Sequence, residues 1–232
     1  MKRILFLVTL LFAVVVANAQ GYVRGRFIME GDYNRTAKFE PSAVVAFDGR
    51  LDNGNGLTFG YKAGPDKHFF NLAYQIGVDG FTGNDFTYIE NRYLYRYFKG
   101  YHIQEFNAMF SLGYRNIHWD FKLGLCNRYI AEIPLRKNGG EGVIFEPMNV
   151  VFDIEYNLFS QAHPWNIGCG ISNYREFIIE RVTLFYYTFH GYYNINEKWR
   201  IISEAGLHPA GVLNLSSQYN GFFFNIGCTY NY

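Results

Sequence analysis

Cysteine is scarce in this chain, which has only 3 among its 232 residues. Cys126, Cys169 and Cys228 are odd in number and widely spaced, so they form neither a disulfide framework nor a metal-ligand pattern. We interpret them as small apolar residues within strands. No pair of histidines or cysteines has ligand spacing, and we therefore expect no metal site and no cofactor.

Blocks of like charge and domain linkers are also missing. The chain has 21 basic and 20 acidic residues without a basic or acidic run, so no nucleic-acid partner is expected. No stretch rich in Pro, Ser or charge divides it, which favours one domain or one barrel. Aromatic residues, in contrast, make up 20% of the chain. That content is typical of a barrel that presents Tyr and Phe to lipid.

Residues 1–19 have the order of an export signal. Lys2 and Arg3 precede an apolar run from Ile4 to Ala17, and small residues follow before Gln20. The run is too short to span a bilayer comfortably as a helix, so we predict a cleaved signal peptide over 1–19 and a barrel over 20–232. Removing Lys2 and Arg3 from a net charge of +1 leaves −1.

Apolar and polar residues alternate along most of the remaining sequence, and no convincing helical period appears. Alternation with period two is the signature of a strand that exposes its two faces to different surroundings. We predict about twelve such strands, at roughly 21–31, 41–51, 56–63, 68–79, 86–98, 101–115, 117–131, 147–158, 164–174, 181–193, 198–208 and 219–232.

The parity of the apolar face connects three neighbouring strands. It is even on 101–115 and odd on 117–131, as a two-residue turn at Arg115-Asn116 requires. That turn would place Tyr114 opposite Ile117. A similar turn at Lys99-Gly100 would place Leu94 opposite Glu105, with Arg92 and Arg96 at the diagonal positions.

Such hairpins predict an all-β, antiparallel, up-and-down transmembrane β-barrel of about twelve strands. The end of the chain agrees, because Phe224, Ile226 and Cys228 alternate with Asn225, Gly227 and Thr229 up to a final aromatic residue. A secreted β-sandwich with the apolar face inside is the alternative that alternation alone leaves open.

Connection lengths and tryptophans predict an orientation in the outer membrane. Most connections on one side are shorter, which is typical of the periplasmic side, and an even strand count returns both termini there. We predict an interfacial aromatic girdle near these turns, formed by Trp119, Trp165, Trp199, Tyr230 and Tyr232.

Three segments carry a resemblance to a known class: Ala17-Asn18-Ala19-Gln20, the turn and strand start at 194–200, and the terminal segment 225–232. In these segments the chain resembles the broad outer-membrane β-barrel families of Bacteroidetes-type bacteria, of the porin or OmpA-barrel kind. The resemblance implies insertion into the outer membrane with the help of the barrel-assembly machinery, but no particular activity.

Polar residues on the predicted inward face point to the lumen as the functional region. Mixed charges there form either a bracing ion-pair network or the lining of a narrow pore. The predicted lumen-lining charged residues are Glu90, Arg92, Arg96, Glu105, Arg115, Asp120, Lys122, Asp153, Glu155, Arg200 and Glu204. We expect a narrow passive channel, with small solutes as possible partners, or a structural or surface-binding barrel whose longest outer loop is 132–146.

A lipid-modifying enzyme, either a hydrolase or an acyltransferase, is the alternative from another class. Such an enzyme needs a nucleophile beside a base. His208 shares a predicted loop with Ser216 and Ser217, and His118 lies two residues before Asp120. Both patterns are weak, and we assign no catalytic residue.

Overall fold

The computed structural model describes residues 20–31, 39–50, 55–78, 86–99, 102–132, 142–160, 163–174, 185–209 and 219–231. The predicted signal peptide and Tyr232 therefore lie outside the described residues. Among the residues described, no helix is long and apolar enough to cross a membrane.

Twelve antiparallel strands form a closed barrel in which each strand pairs with its neighbours in sequence and β1 pairs with β12. This confirms the predicted all-β, up-and-down barrel. The strands are β1 Gln20–Gly31, β2 Phe39–Arg50, β3 Gly56–Ala63, β4 Lys67–Gly77, β5 Phe86–Phe98, β6 Ile103–Arg115, β7 Trp119–Glu132, β8 Val143–Asn157, β9 Trp165–Ser172, β10 Tyr186–Asn194, β11 Trp199–Pro209 and β12 Tyr219–Asn231.

The large apolar side chains of the alternating strands lie on the outside of this barrel. Phe110, Leu123 and Ile226 are 49%, 62% and 46% exposed, whereas the polar residues between such positions face the interior. A closed sheet suits hydrocarbon, because every backbone group of a spanning segment must pair within the protein. Its apolar face points outward, where it can contact hydrocarbon. The β-sandwich alternative is wrong for this chain.

The two hairpins keep the predicted parity but not the predicted register. Tyr114 pairs with Phe121 instead of Ile117, and Arg96 instead of Leu94 stands opposite Glu105. Both turns are longer than two residues. After β6, the Asn116 side chain accepts hydrogen bonds from the backbone N–H groups of His118 and Trp119, at 2.9 and 2.7 Å, and thereby forms a wider turn. The shifts are even, so the faces still match.

Strand β8 starts earlier than predicted. Residues 143–146, expected to lie in a loop, pair with β7 from Arg128 to Ala131. Between Cys126 and Arg128 the register shifts, and Met148 adopts a φ of 53°. This is a β-bulge, which adds one residue to the strand and reverses its alternation. Because the alternation of apolar and polar residues is interrupted at the bulge, it did not reveal residues 143–146 as part of β8.

Two glycines face aromatic rings on neighbouring strands. Gly113 lies opposite Tyr88 and Gly206 opposite Phe223, and the rings of Tyr88 and Phe223 lie over these glycines. A Cβ added at Gly206 would lie 2.0 Å from the Phe223 ring. Such glycine–aromatic pairs fill the interior without widening the sheet.

Substitution of Gly206 by alanine is expected to destabilise the barrel, because the buried ring of Phe223 must move away from the new methyl group. Overpacking of this kind costs about 1–3 kcal/mol. The measurement is the urea midpoint of unfolding in lipid vesicles. Gly25→Ala is the control, since nothing lies within 4 Å of a Cβ at Gly25. Equal midpoints for the two variants would contradict the packing argument.

Candidate functional site

The interior of the barrel is layered along the strands. Towards the end with the termini, charged residues such as Arg24, Arg26, Glu90 and Arg92 face inward. Further along the same strands come buried apolar residues, Ile28 on β1 and Leu94 on β5. Beyond the apolar residues the interior is charged again. We call the charged layer nearest the termini the cavity layer, the apolar layer the closure ring, and the second charged layer the ion-pair layer.

The cavity layer encloses a space of about 280 Å³. Cationic, anionic and aromatic side chains all contribute to its wall. The charged lining residues are Arg24, Arg26, Arg92, Arg115, Asp120, Lys122, Asp153, Glu155 and Glu204, and they are joined by His190, Tyr174 and Tyr192. A cavity with both signs of charge suits small hydrated ions or polar solutes better than an apolar ligand.

Glu90 organises one wall of the cavity layer. It is 1% exposed and accepts hydrogen bonds from Arg92 Nε at 2.9 Å and from Gln75 Nε2 at 2.7 Å. Lys122 Nζ lies 3.3 Å from its Oε1. Two cations and an amide therefore compensate one buried carboxylate, as a charge removed from water requires.

Further ion pairs complete the wall. Arg24 pairs with Asp48, which also accepts a hydrogen bond from the Thr58 hydroxyl at 2.9 Å. Arg26 Nη1 lies 3.9 Å from Glu204 Oε2. The carboxylate of Glu204 also accepts a hydrogen bond from Asn225 at 2.8 Å.

Nearer the end with the termini, Arg115 Nε donates to Asp120 Oδ2 at 2.7 Å. The guanidinium of Arg115 also lies over the Tyr88 ring, 5.8 Å from its centre. The Arg115–Asp120 pair is more exposed than the other ion pairs of the cavity layer, since its two side chains are 35% and 20% exposed.

The closure ring takes one inward-facing side chain from every strand. All of its members are at most 5% exposed, and most are apolar. Its members are Ile28, Val44, Lys62, Phe69, Leu94, Met109, Cys126, Val151, Ser172, Thr188, His208 and Phe223. Side chains around an open column of water would be wetted, so water does not reach this level of the lumen.

Contacts across the lumen explain the burial of the closure ring. Ile28 on β1 and Leu94 on β5 belong to one apolar cluster with Val44 and Phe69. A second cluster joins Met109, Cys126 and Val151 to Tyr174, which follows β9. The ring of Tyr186 contacts those of His208 and Phe223, at centroid distances of 5.1 and 5.5 Å.

The ion-pair layer centres on two glutamates, Glu105 and Glu30. Glu105 pairs with Arg96, accepts from Arg128 Nε at 2.8 Å and from Asn107 at 2.8 Å, and is 2% exposed. Arg128 continues the chain to Glu146, 3.0 Å away.

Glu30 is the second centre of the ion-pair layer. It pairs with Lys62 at 2.5 Å and with Lys67. Lys67 also reaches Glu40 at 3.0 Å. Each of these carboxylates therefore has at least one cationic partner at this end of the lumen.

The structure shows seven of the predicted residues in the cavity lining and three others buried. The seven are Arg92, Arg115, Asp120, Lys122, Asp153, Glu155 and Glu204, and the three are Glu90, Arg96 and Glu105. The structure brings Glu90, Arg92 and Lys122 together, and separately Arg96 and Glu105. The expectation that both Arg92 and Arg96 flank Glu105 is wrong, because the register shift moves Arg92 opposite Met109. Arg200 lies apart from these groups, with its guanidinium 4.3 Å from the Tyr192 ring centre.

Sequence reasoning missed several interior charges. Arg128 shares the parity of Asp120 and Lys122, so the alternation of β7 could have revealed it. Glu146 could not be found in this way, because the bulge reverses the parity of β8. The other missed residues are Arg24, Arg26, Glu30, Asp48, Lys62 and Lys67.

The three tryptophans lie at the end of the barrel that carries the termini. Trp119, Trp165 and Trp199 are 39%, 42% and 43% exposed. Each pairs in register with a tyrosine, at positions 156, 193 and 230 respectively. The Trp119 and Trp199 rings lie 4.8 and 4.9 Å from the rings of their tyrosines.

The two weak catalytic patterns are His118 with Asp120, and His208 with Ser216 and Ser217. His118 Nδ1 contacts the Asn157 carbonyl, whereas Asp120 binds Arg115, so the two side chains have different partners. His208 belongs to the closure ring and is 3% exposed. Ser216 and Ser217 lie outside the described residues.

Comparison with solved structures identifies the fold. The outer membrane protein Omp33 of Acinetobacter baumannii matches with a TM-score of 0.52 and 10% identity, covering 92% of this chain and 98% of that one. A KdgM porin in complex with disordered oligogalacturonate matches with 0.55 and 11%, covering 91% and 99%. The NanC porin matches with 0.55 and 10%, covering 90% and 98%. No family model and no curated protein matches this sequence.

Replacement of Glu105 by glutamine is expected to destabilise the barrel strongly. The variant leaves the fully buried Arg96 and the adjacent Arg128 without their shared carboxylate, and breaking a buried pair costs about 3–5 kcal/mol. Unfolding by urea in lipid vesicles, followed by tryptophan fluorescence, measures the loss.

Asp120→Asn is the matched control for this variant. It removes a carboxylate from the more exposed pair with Arg115, which is worth about 1 kcal/mol or less. If Glu105→Gln were as stable as Asp120→Asn, the ion-pair layer would not brace the barrel.

Proposed function

We propose that this protein is an integral outer-membrane barrel that acts as a narrow channel for small solutes. The observation that carries the proposal is the cavity layer, which places ion-paired side chains of both signs inside a closed barrel. A cavity lined in this way admits water and selects solutes by size and charge. The porins with the same fold support it by analogy of architecture.

The size of the cavity limits what such a channel conducts. About 280 Å³ lies at the lower end of the range of small-molecule pockets. The closure ring closes the path in the structure described, so conduction requires this ring to open. The proposed solutes are therefore inorganic ions and small polar molecules, and the conductance is expected to be low.

A structural barrel is the second candidate. The closure ring favours it directly, because one buried side chain from each strand fills the lumen. In that case the ion pairs act only as braces between strands. The two candidates differ in whether the closure ring ever opens.

The cellular setting forms part of the proposal. We infer that residues 1–19 are removed on export and that the barrel-assembly machinery inserts the chain. We further infer that the end with the tryptophans faces the periplasm, and that the tryptophans and tyrosines anchor it at the lipid headgroups. The link to Bacteroidetes-type families stays a prediction.

Tryptophan fluorescence tests the girdle without any variant, because the chain has only 3 tryptophans. In vesicles, lipids brominated close to the headgroup should quench the emission more than lipids brominated at the chain ends, since the three rings are proposed to lie at the interface. Stronger quenching from the chain ends would overturn the girdle.

Planar-bilayer recording tests the channel. The wild-type protein should give small, discrete conductance steps with weak ion selectivity. The double variant Asp153→Asn, Glu155→Gln removes two cavity carboxylates and should shift the reversal potential towards anion selectivity, because the remaining lining is more positive.

Glu197→Gln is the control for the selectivity shift. Glu197 is an exposed residue of the turn between β10 and β11, outside the cavity. An equal shift in both variants would contradict permeation through the cavity layer. A protein that stays silent under all conditions would favour the structural barrel.

A further inference from the structure

We propose that Tyr174 is the movable barrier that sets the permeability of the lumen. The inference deepens the proposed channel function and rests on it. Tyr174 lies two residues beyond Ser172, the last inward-facing residue of β9, and its side chain lines the cavity. It therefore lies at the boundary between the cavity layer and the closure ring.

Asn173, the residue before Tyr174, is hydrogen-bonded to the backbone of β8. The Asn173 side chain accepts a hydrogen bond from Phe152 N–H at 2.7 Å and donates one to the Val150 carbonyl at 2.7 Å. The Ser172 hydroxyl accepts a hydrogen bond from Tyr174 N–H at 2.9 Å. Because the main chain is held at Ser172 and Asn173, a movement of the Tyr174 ring requires only side-chain rotation.

The ring of Tyr174 bridges strands that are not neighbours of β9. Its centre lies 5.4 Å from Arg92 Cζ on β5 and 5.7 Å from Lys122 Nζ on β7. It also belongs to one buried cluster with Met109 on β6, Cys126 on β7 and Val151 on β8. One ring thus covers two cations and closes the space between distant strands, which a residue packed only against its own neighbours does not do.

The hydroxyl of Tyr174 distinguishes this position from an ordinary core residue. The side chain is only 3% exposed, yet its oxygen has no hydrogen-bond partner among the residues described. A buried hydroxyl without a partner destabilises the conformation that buries it. Since Tyr174 borders the cavity, rotation of the ring into that space would return the hydroxyl to water.

Two opposing effects therefore act on the closed position. Cation–π contacts with Arg92 and Lys122 and apolar packing hold the ring across the lumen. The unpartnered hydroxyl favours its release. A balance of this kind makes a two-state barrier, and it predicts that the ring and the hydroxyl have opposite effects on opening.

Single-channel recording of the full-length barrel tests the proposal with two variants at the same position. Tyr174→Ala removes the ring and should raise the open probability about tenfold, because the contacts of the ring with Arg92 and Lys122 are lost. Tyr174→Phe keeps the ring and removes the hydroxyl, so the open probability should fall about tenfold as the closed state gains stability.

Tyr93→Ala is the matched control. Tyr93 is the residue before Leu94 on β5, but its ring faces outward, is 46% exposed and stacks on Phe106, outside the cavity layer and the closure ring. Its removal should leave the open probability within about twofold of the wild type. The heat-dependent shift of the folded barrel on gels shows that each variant is folded.

The outcomes separate the barrier from the channel itself. A wild-type protein that conducts, with Tyr174→Phe opening as often as wild type, would overturn the role of the hydroxyl and with it the proposed balance. Conduction unchanged in Tyr174→Ala would show that Tyr174 is a packing residue. Silence of the wild type and of Tyr174→Ala alike would instead reject the channel function.

Discussion

The pairing of β1 with β12 is the constraint on which the rest of the structure depends. Ten register pairs, from Tyr22 with Asn231 to Gly31 with Phe222, join the two ends of the sheet. A barrel in hydrocarbon has no water to satisfy an open edge, so closure provides partners for the backbone groups of both terminal strands. Closure also creates an inside, and every interior feature described above follows from it.

The interior shows how a barrel of this size handles polar residues that alternation directs inward. Twelve strands enclose more space than an eight-stranded barrel, whose interior its side chains fill. In this barrel the interior is divided into two charged layers with the closure ring between them. Glu90 and Glu105 each bind cations from two strands, and the apolar residues between these layers exclude water. Buried charges are thereby compensated at both ends, and the lumen is closed in the middle.

Alternation was sufficient to predict the strands and the closed barrel, because side chains of a strand point to opposite faces with a period of two. It was not sufficient for the register. The partner of Glu105 depends on the length of the turn after Phe98, and a change of two residues replaces Leu94 by Arg96 at the facing position. Alternation also failed at the bulge near Met148, where one added residue reverses the faces.

The sequence by itself determined which surface of each strand is apolar, since that property resides in the residues and their period. Only the tertiary structure decided which charges meet and whether the lumen is open. Tyr174 lies far in sequence from Arg92, and their contact arises because the barrel curves β9 round to face β5. Contacts across a lumen depend on closure, tilt and register together, and no local pattern of residues records them.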